Sequence, residues 1–164
     1  MNKIMPIHLL LLSGLSLHFI SCQSPPPAPL DFTQVQWENY TSPALDYSLS
    51  IPHAYTLNEY ADGYFTIFRH KGSPAVRVNF TDAAEGKKRG LWFGHEAASE
   101  IELGGKKGFK YIYDHYDGPF SSRTIAYVIA YRGKYLGLEF RTDRDLDAVY
   151  EHILSSFEFI GSQS

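Results

Sequence analysis

The sequence predicts an α+β domain: a central antiparallel β-sheet flanked by helices, with a C-terminal amphipathic helix followed by a short strand. Three observations predict it. Apolar and polar residues alternate with period two in several separate runs, as in strands that bury one face. Two of those runs, 123–132 and 135–141, flank Gly133-Lys134, a two-residue hairpin connection. From Leu146 onward the apolar spacing becomes helical, with Val149, Tyr150, Ile153 and Leu154 completing one stripe.

Size and composition agree with one such domain. The chain has 164 residues, 44% hydrophobic and 20% charged, with 12 Tyr and 11 Phe. That is one core's worth of chain, and aromatic residues suit half-buried pleated surfaces. The segment ahead of Cys22 carries one charge, Lys3, which leaves 14 basic against 18 acidic residues after it. This weak acidity excludes the clustered basic face that nucleic-acid binding requires, so no nucleic-acid partner is expected.

The elements follow in order. Residues 1–3 are a short cationic start, and residues 4–20 are apolar, interrupted by Pro6, His8, Gly14 and His18. A spanning helix needs about 20 predominantly apolar residues. The run is shorter and no basic stop follows, so it reads as a signal peptide over 1–21. The only cysteine, Cys22, stands where the apolar run ends, and Gln23-Ser24-Pro25-Pro26-Pro27-Ala28-Pro29 follows it. Proline fixes φ and favours extended polyproline II, so residues 22–30 read as a stiff tether.

Phe19-Ile20-Ser21-Cys22 resembles the lipobox of bacterial lipoproteins. Ser21 and Cys22 match that motif; Phe19 and Ile20 are bulkier than its usual residues. The resemblance implies cleavage before Cys22, a diacylglycerol on its thiol and a further acyl chain, commonly palmitate, on the freed amine. The bilayer is then a partner through acylated Cys22. Each buried acyl CH₂ contributes about 0.8 kcal/mol, and two chains suffice for stable anchoring. Gln23, by resemblance to enterobacterial sorting, points to the outer rather than the inner membrane, with the domain on the periplasmic or external side. The other reading is an ordinary secretory signal with an incidental cysteine.

Residues 31–161 form the single domain, and 162–164 a tail. DYSLSIP (46–52) places Tyr47, Leu49 and Ile51 on one face, and Pro52 ends that strand. YFTIFRH (64–70) and AVRVNFT (75–81) make a hairpin across Lys71-Gly72-Ser73-Pro74. Strands at 99–103 and 109–116 flank the glycine-rich loop 104–108. Gly133, first in its two-residue loop, suits a type II′ turn. Thr142 caps a helix whose first turn holds Asp143 and Asp145. A last strand lies at 157–160, and a second helix is expected over 91–98.

Three of these features together, YSLSIP (47–52), the hairpin 127–140 and YEHILSSFEF (150–159), resemble the Mog1/PsbP-like domains, which include small bacterial lipoproteins. The resemblance spans residues 44–160, with Tyr55 in place of a Trp the family often carries after the proline. It implies an α/β/α sandwich and a binding or accessory role, and it carries over no catalytic residue.

The chemistry-bearing motifs are few. There is no Gly-x-Ser-x-Gly, no phosphate loop and no dinucleotide fingerprint. No catalytic residue, cofactor or metal is therefore assigned. The densest group of potential ligands is Asp114-His115-Tyr116-Asp117, in which Asp114, His115 and Asp117 have metal-binding side chains. Asp114 and His115 would point to opposite faces of a strand, and Asp117-Gly118-Pro119 is ordinary turn chemistry. Lys87, Lys88 and Arg89 precede Leu91, Trp92 and Phe93. Exposed, such a segment suits a membrane surface or a protein partner; buried, its apolar residues are core and its cations solvate a loop. Tyr111, Tyr113, Tyr127, Tyr131 and Tyr135 lie on adjacent expected strands, where some could form an aromatic binding face. Asn39-Tyr40-Thr41 and Asn79-Phe80-Thr81 match the N-glycosylation pattern and are not expected to be used in a bacterial lipoprotein.

The functional expectation is a non-enzymatic binding or accessory lipoprotein of the bacterial envelope, whose partner is an envelope protein or a peptidoglycan-associated component. The alternatives are a metal-dependent or hydrolytic enzyme using Asp114, His115 and Asp117, and a small-molecule or lipid carrier.

Overall fold

The computed structural model describes residues 30–60, 65–117, 120–143 and 145–161, without the side chains of 115–117, 120 and 121. The signal peptide, Cys22, nearly all of the tether and the tail lie outside the described residues.

Among the described residues ten strands and two α-helices follow one another: β1 (Trp37–Ser42), β2 (Tyr47–Pro52), β3 (Thr56–Glu59), β4 (Phe65–His70), β5 (Ser73–Thr81), α1 (Ala83–Lys88), β6 (Ala97–Leu103), β7 (Lys106–Asp117), β8 (Phe120–Tyr131), β9 (Lys134–Thr142), α2 (Ala148–Ser155) and β10 (Glu158–Phe159). Single 3₁₀ turns occupy Phe32–Gln34 and Trp92–Gly94. The strands make a seven-stranded antiparallel sheet in the order β3-β4-β5-β9-β8-β7-β6 and a three-stranded sheet β1-β2-β10. No helix among the described residues is long and apolar enough to cross a membrane.

The main core lies between the two sheets. β5 contributes Val76, Val78 and Phe80, β8 contributes Ile125 and Ile129, and β9 contributes Leu136, Leu138 and Phe140. Tyr47, Leu49 and Ile51 of β2 and Val149, Tyr150 and Ile153 of α2 close over them. The period-two and helical patterns in the sequence therefore converge on one apolar volume, the condition for a stable layered domain. A three-stranded sheet together with α2 fills the place where the sequence suggested a layer of helices. Tyr55 is buried in the same core.

The structure moves several expected boundaries. Arg132 and Gly133 both have positive φ, +49° and +73°. The β8–β9 turn is thus centred one residue earlier than expected, with both central residues left-handed as in type I′. The loop 104–108 shrinks to Gly104 and Gly105, both at positive φ, and β7 begins at Lys106. Thr142 does not cap a helix: it ends β9 opposite Arg123. The cap of α2 is Asp147, whose side chain accepts from the Tyr150 amide at 3.0 Å. The helix expected over 91–98 is a 3₁₀ turn running into β6. The helix before it, α1, has no apolar stripe, and its one buried residue is Gly86.

Candidate functional site

The face of the seven-stranded sheet turned away from the main core carries the polar chemistry. Its side chains are the alternate residues of the same strands. One cross-strand row reads Ile67, Arg77, Glu139, Ala126 and Tyr111; the next reads Phe65, Asn79, Gly137, Val128 and Phe109. Small residues in the middle of these rows make a floor, and Trp92 lies on it. A Cβ at Gly137 would stand 2.4 Å from the indole ring, so only glycine admits the ring so close. Trp92 is fully buried and packs with Tyr113, Ala126 and Val128 in a second core cluster.

Beside the indole, Glu139 is 3% exposed. Asn79 donates its side-chain N–H to a Glu139 carboxylate oxygen, and Arg89 donates to the Asn79 carbonyl oxygen at 3.1 Å. Arg77 stands directly opposite Glu139 in the ladder, and the Arg89 guanidinium lies 5.5 Å above the Phe65 ring. Burial pushes the Glu139 carboxyl up to about 7; Arg77, the Asn79 hydrogen bond and Arg89 oppose that push. Tyr113 is raised above the ordinary phenol range, first by burial and then by Glu139, while Arg77 and Thr124 act the other way. The His95 imidazole stacks on the Tyr113 ring at 4.3 Å and 8° between planes.

The residues proposed from sequence fall in three places. Lys87 and Lys88 are exposed at the end of α1, where Lys88 reaches Glu85 at 3.9 Å. Arg89 closes α1 and ties it to the sheet through Asn79. Trp92 is core, and Phe93 is half-buried, edge-on to Tyr135 at 5.0 Å. The open choice for 91–93 is thereby decided for Trp92: the indole packs inward, Leu91 and Phe93 are half-buried, and the cations are presented to solvent.

Asp114 is held by the Arg123 guanidinium at 2.9 Å. His115 and Asp117 pair through their backbones with Ser122 and Phe120, and their side chains lie outside the described residues. Among the described residues no group of three metal-ligating side chains occurs. Of the tyrosines, Tyr111 and Tyr113 share the outer face with Phe109, Tyr127 is buried in the main core, Tyr131 stacks on Phe159 at 4.4 Å, and Tyr135 is exposed. The five do not form one platform.

Sequence reasoning missed Arg77, Asn79 and Glu139. They alternate with core residues, which in an isolated pattern marks a solvated face. The segment 83–95 packs over that face, where Asn79 and Glu139 are buried and Arg77 is half-buried. A glycine, Gly137, two residues from an acid on a strand was the available signal of close packing there.

No family model and no curated protein matches the sequence. Solved structures do match. A crystal structure from Bacteroides thetaiotaomicron superposes with a TM-score of 0.55 at 14% identity, over 77% of this chain and 49% of that one. This chain thus spans about half the length of that protein. The solution structure of cyanobacterial PsbP (CyanoP) from Synechocystis gives a TM-score of 0.52 at 14% identity, over 81% of this chain and 98% of that one. The fold is PsbP-like. At this identity the similarity establishes the architecture of the PsbP-like domain and assigns no function to its residues.

Proposed function

We propose that the chain is a lipoprotein of the bacterial cell envelope, in which acylated Cys22 tethers a PsbP-like domain that binds an envelope partner without catalysing a reaction. The observation that carries this reading is the position of the single thiol, at the junction of an apolar leader and a proline-rich spacer. The eight residue-to-residue steps from Cys22 to Leu30, extended, would hold the domain about 25 Å from the lipid surface. The partner is an envelope protein or a peptidoglycan-associated component, and the membrane is the outer one. Two features of the domain weigh in the same direction. Asp114 is paired with Arg123, so its carboxylate has a structural role that needs no metal. Phe140, Tyr150 and Ile153 fill the space between sheet and helix that a carrier would use.

The test is the mature N-terminus. Intact mass should show a product beginning at Cys22 with acyl chains attached, and cells fed an alkyne-tagged fatty acid should label the native protein but not the Cys22→Ala variant. An unmodified Cys22 in the mature protein, or label retained in Cys22→Ala, would overturn the anchor.

A further inference from the structure

The two edges of the seven-stranded sheet are unequal. β3 at one edge has four residues; β6 at the other has seven, and no strand among the described residues pairs with its outer side. Sheet edges are usually protected by charged side chains, lysine above all, by proline, by a bulge or by shortness. In β6 a register shift between Ala97 and Ser99 blunts one end, and the ladder from Ser99 to Leu103 is regular. That stretch, Ser-Glu-Ile-Glu-Leu, has no lysine or proline. Glu100 and Glu102 are exposed on the same face. Lys107 stands across from Glu102 and Phe109 across from Glu100, and neither glutamate belongs to an ion pair within 4 Å among the described residues. Beside them lies a groove of about 520 Å³ bounded by Ile101, Gly108 and Phe109, with the Phe109 ring 47% exposed.

These glutamates discriminate between occupants. If a second copy paired antiparallel through β6 with the sheet faces aligned, the registers centred on Glu100, Ile101 or Glu102 would each set a glutamate opposite a glutamate. Like charges directly opposite destabilise a ladder. An incoming strand with cations at the two facing positions makes opposite-charge pairs instead. Its intervening side chain would then lie on the other face, beside Ile101 and Leu103.

We propose that the free edge of β6 is a docking edge, to which an extended segment of a partner protein adds as an eighth strand, with Lys or Arg at alternate positions and an apolar residue between them. Strand addition takes its affinity from main-chain hydrogen bonds and its selectivity from the alternate side chains. The inference rests on the binding-module reading and is independent of the lipid anchor.

The test uses the full chain in detergent micelles and two capped synthetic peptides, Ser-Lys-Val-Lys-Val-Thr and Ser-Glu-Val-Glu-Val-Thr. The lysine peptide should bind about tenfold more tightly than the glutamate peptide, and hydrogen exchange should slow in β6 on binding. The double substitution Glu100→Lys and Glu102→Lys, both at exposed positions, should reverse the preference. Equal affinities, an unchanged preference in the double variant, or protection confined to other strands would overturn the docking edge. Dimerisation of the free chain through β6, read by sedimentation and lost in the same variant, would also overturn it. Loss of acylation with peptide selectivity intact would remove the anchor and leave the edge standing.

Discussion

Glu139 shows how much one residue's surroundings decide. A carboxylate removed from water loses most of its hydration, and partial compensation by Arg77, Asn79 and Arg89 leaves it protonated up to about pH 7. Between about pH 4.5 and 7 the folded protein holds a proton that the unfolded chain has released. Stability therefore falls as pH rises through this window, by about 3 kcal/mol in full. Glu139→Gln should abolish that decline and raise the melting temperature at pH 8. His70, pulled below its ordinary value by burial and by Lys71, then leaves a slope of the opposite sign, with stability lost as pH falls. Melting temperatures from pH 5 to 8 check this, and parallel profiles for the two proteins would refute it. Gly137 is the complementary case. Gly137→Ala sets a methyl group 2.4 Å from the Trp92 ring, an overpacking that should cost about 1–3 kcal/mol and shift tryptophan emission.

Among the elements, the strands were the most legible in the sequence. Alternation located β2, β4, β5, β8 and β9, because each buries one face in the main core and period two is a direct consequence, and it located β7, whose Tyr111 and Tyr113 pack on the opposite face of the sheet. The short or exposed strands β1 and β3 left no such mark: all four residues of β3 are exposed. α2 was recognisable from its stripe and misplaced at its start, since Thr142 and Asp147 are both competent caps. What separates them is the β8–β9 ladder, which extends to Thr142 and delays the helix. Asp147→Ala should accordingly cost about 1 kcal/mol by freeing the Tyr150 amide. Ile153→Ala, fully buried on the same helix, should cost about 2–5 kcal/mol. Urea titrations compare the two, and a cost for Asp147→Ala below that of an exposed surface substitution would remove it as the cap.

For the whole molecule, the two sheets share a core and are also joined at its rim. Tyr131 donates to the Leu45 carbonyl at 3.0 Å and Arg132 pairs with Asp46. A single cooperative transition follows, with far-ultraviolet dichroism and Trp92 emission changing together. Separate midpoints would mean that the small sheet is an independent unit.

By itself the sequence determined the strand-rich α+β class, the hairpins 64–81 and 123–141, the terminal helix-and-strand, and the expectation of a lipid-bearing Cys22 ahead of a stiff spacer. All of these depend on neighbours along the chain: periodicity, turn residues and a motif of a few positions. Only the tertiary structure decided that Trp92 is core, that Asn79 and Glu139 are buried together beside a half-buried Arg77, and that β6 is a free edge of the large sheet. Burial and edge position are set by which distant segment covers a given face, and local pattern does not encode that.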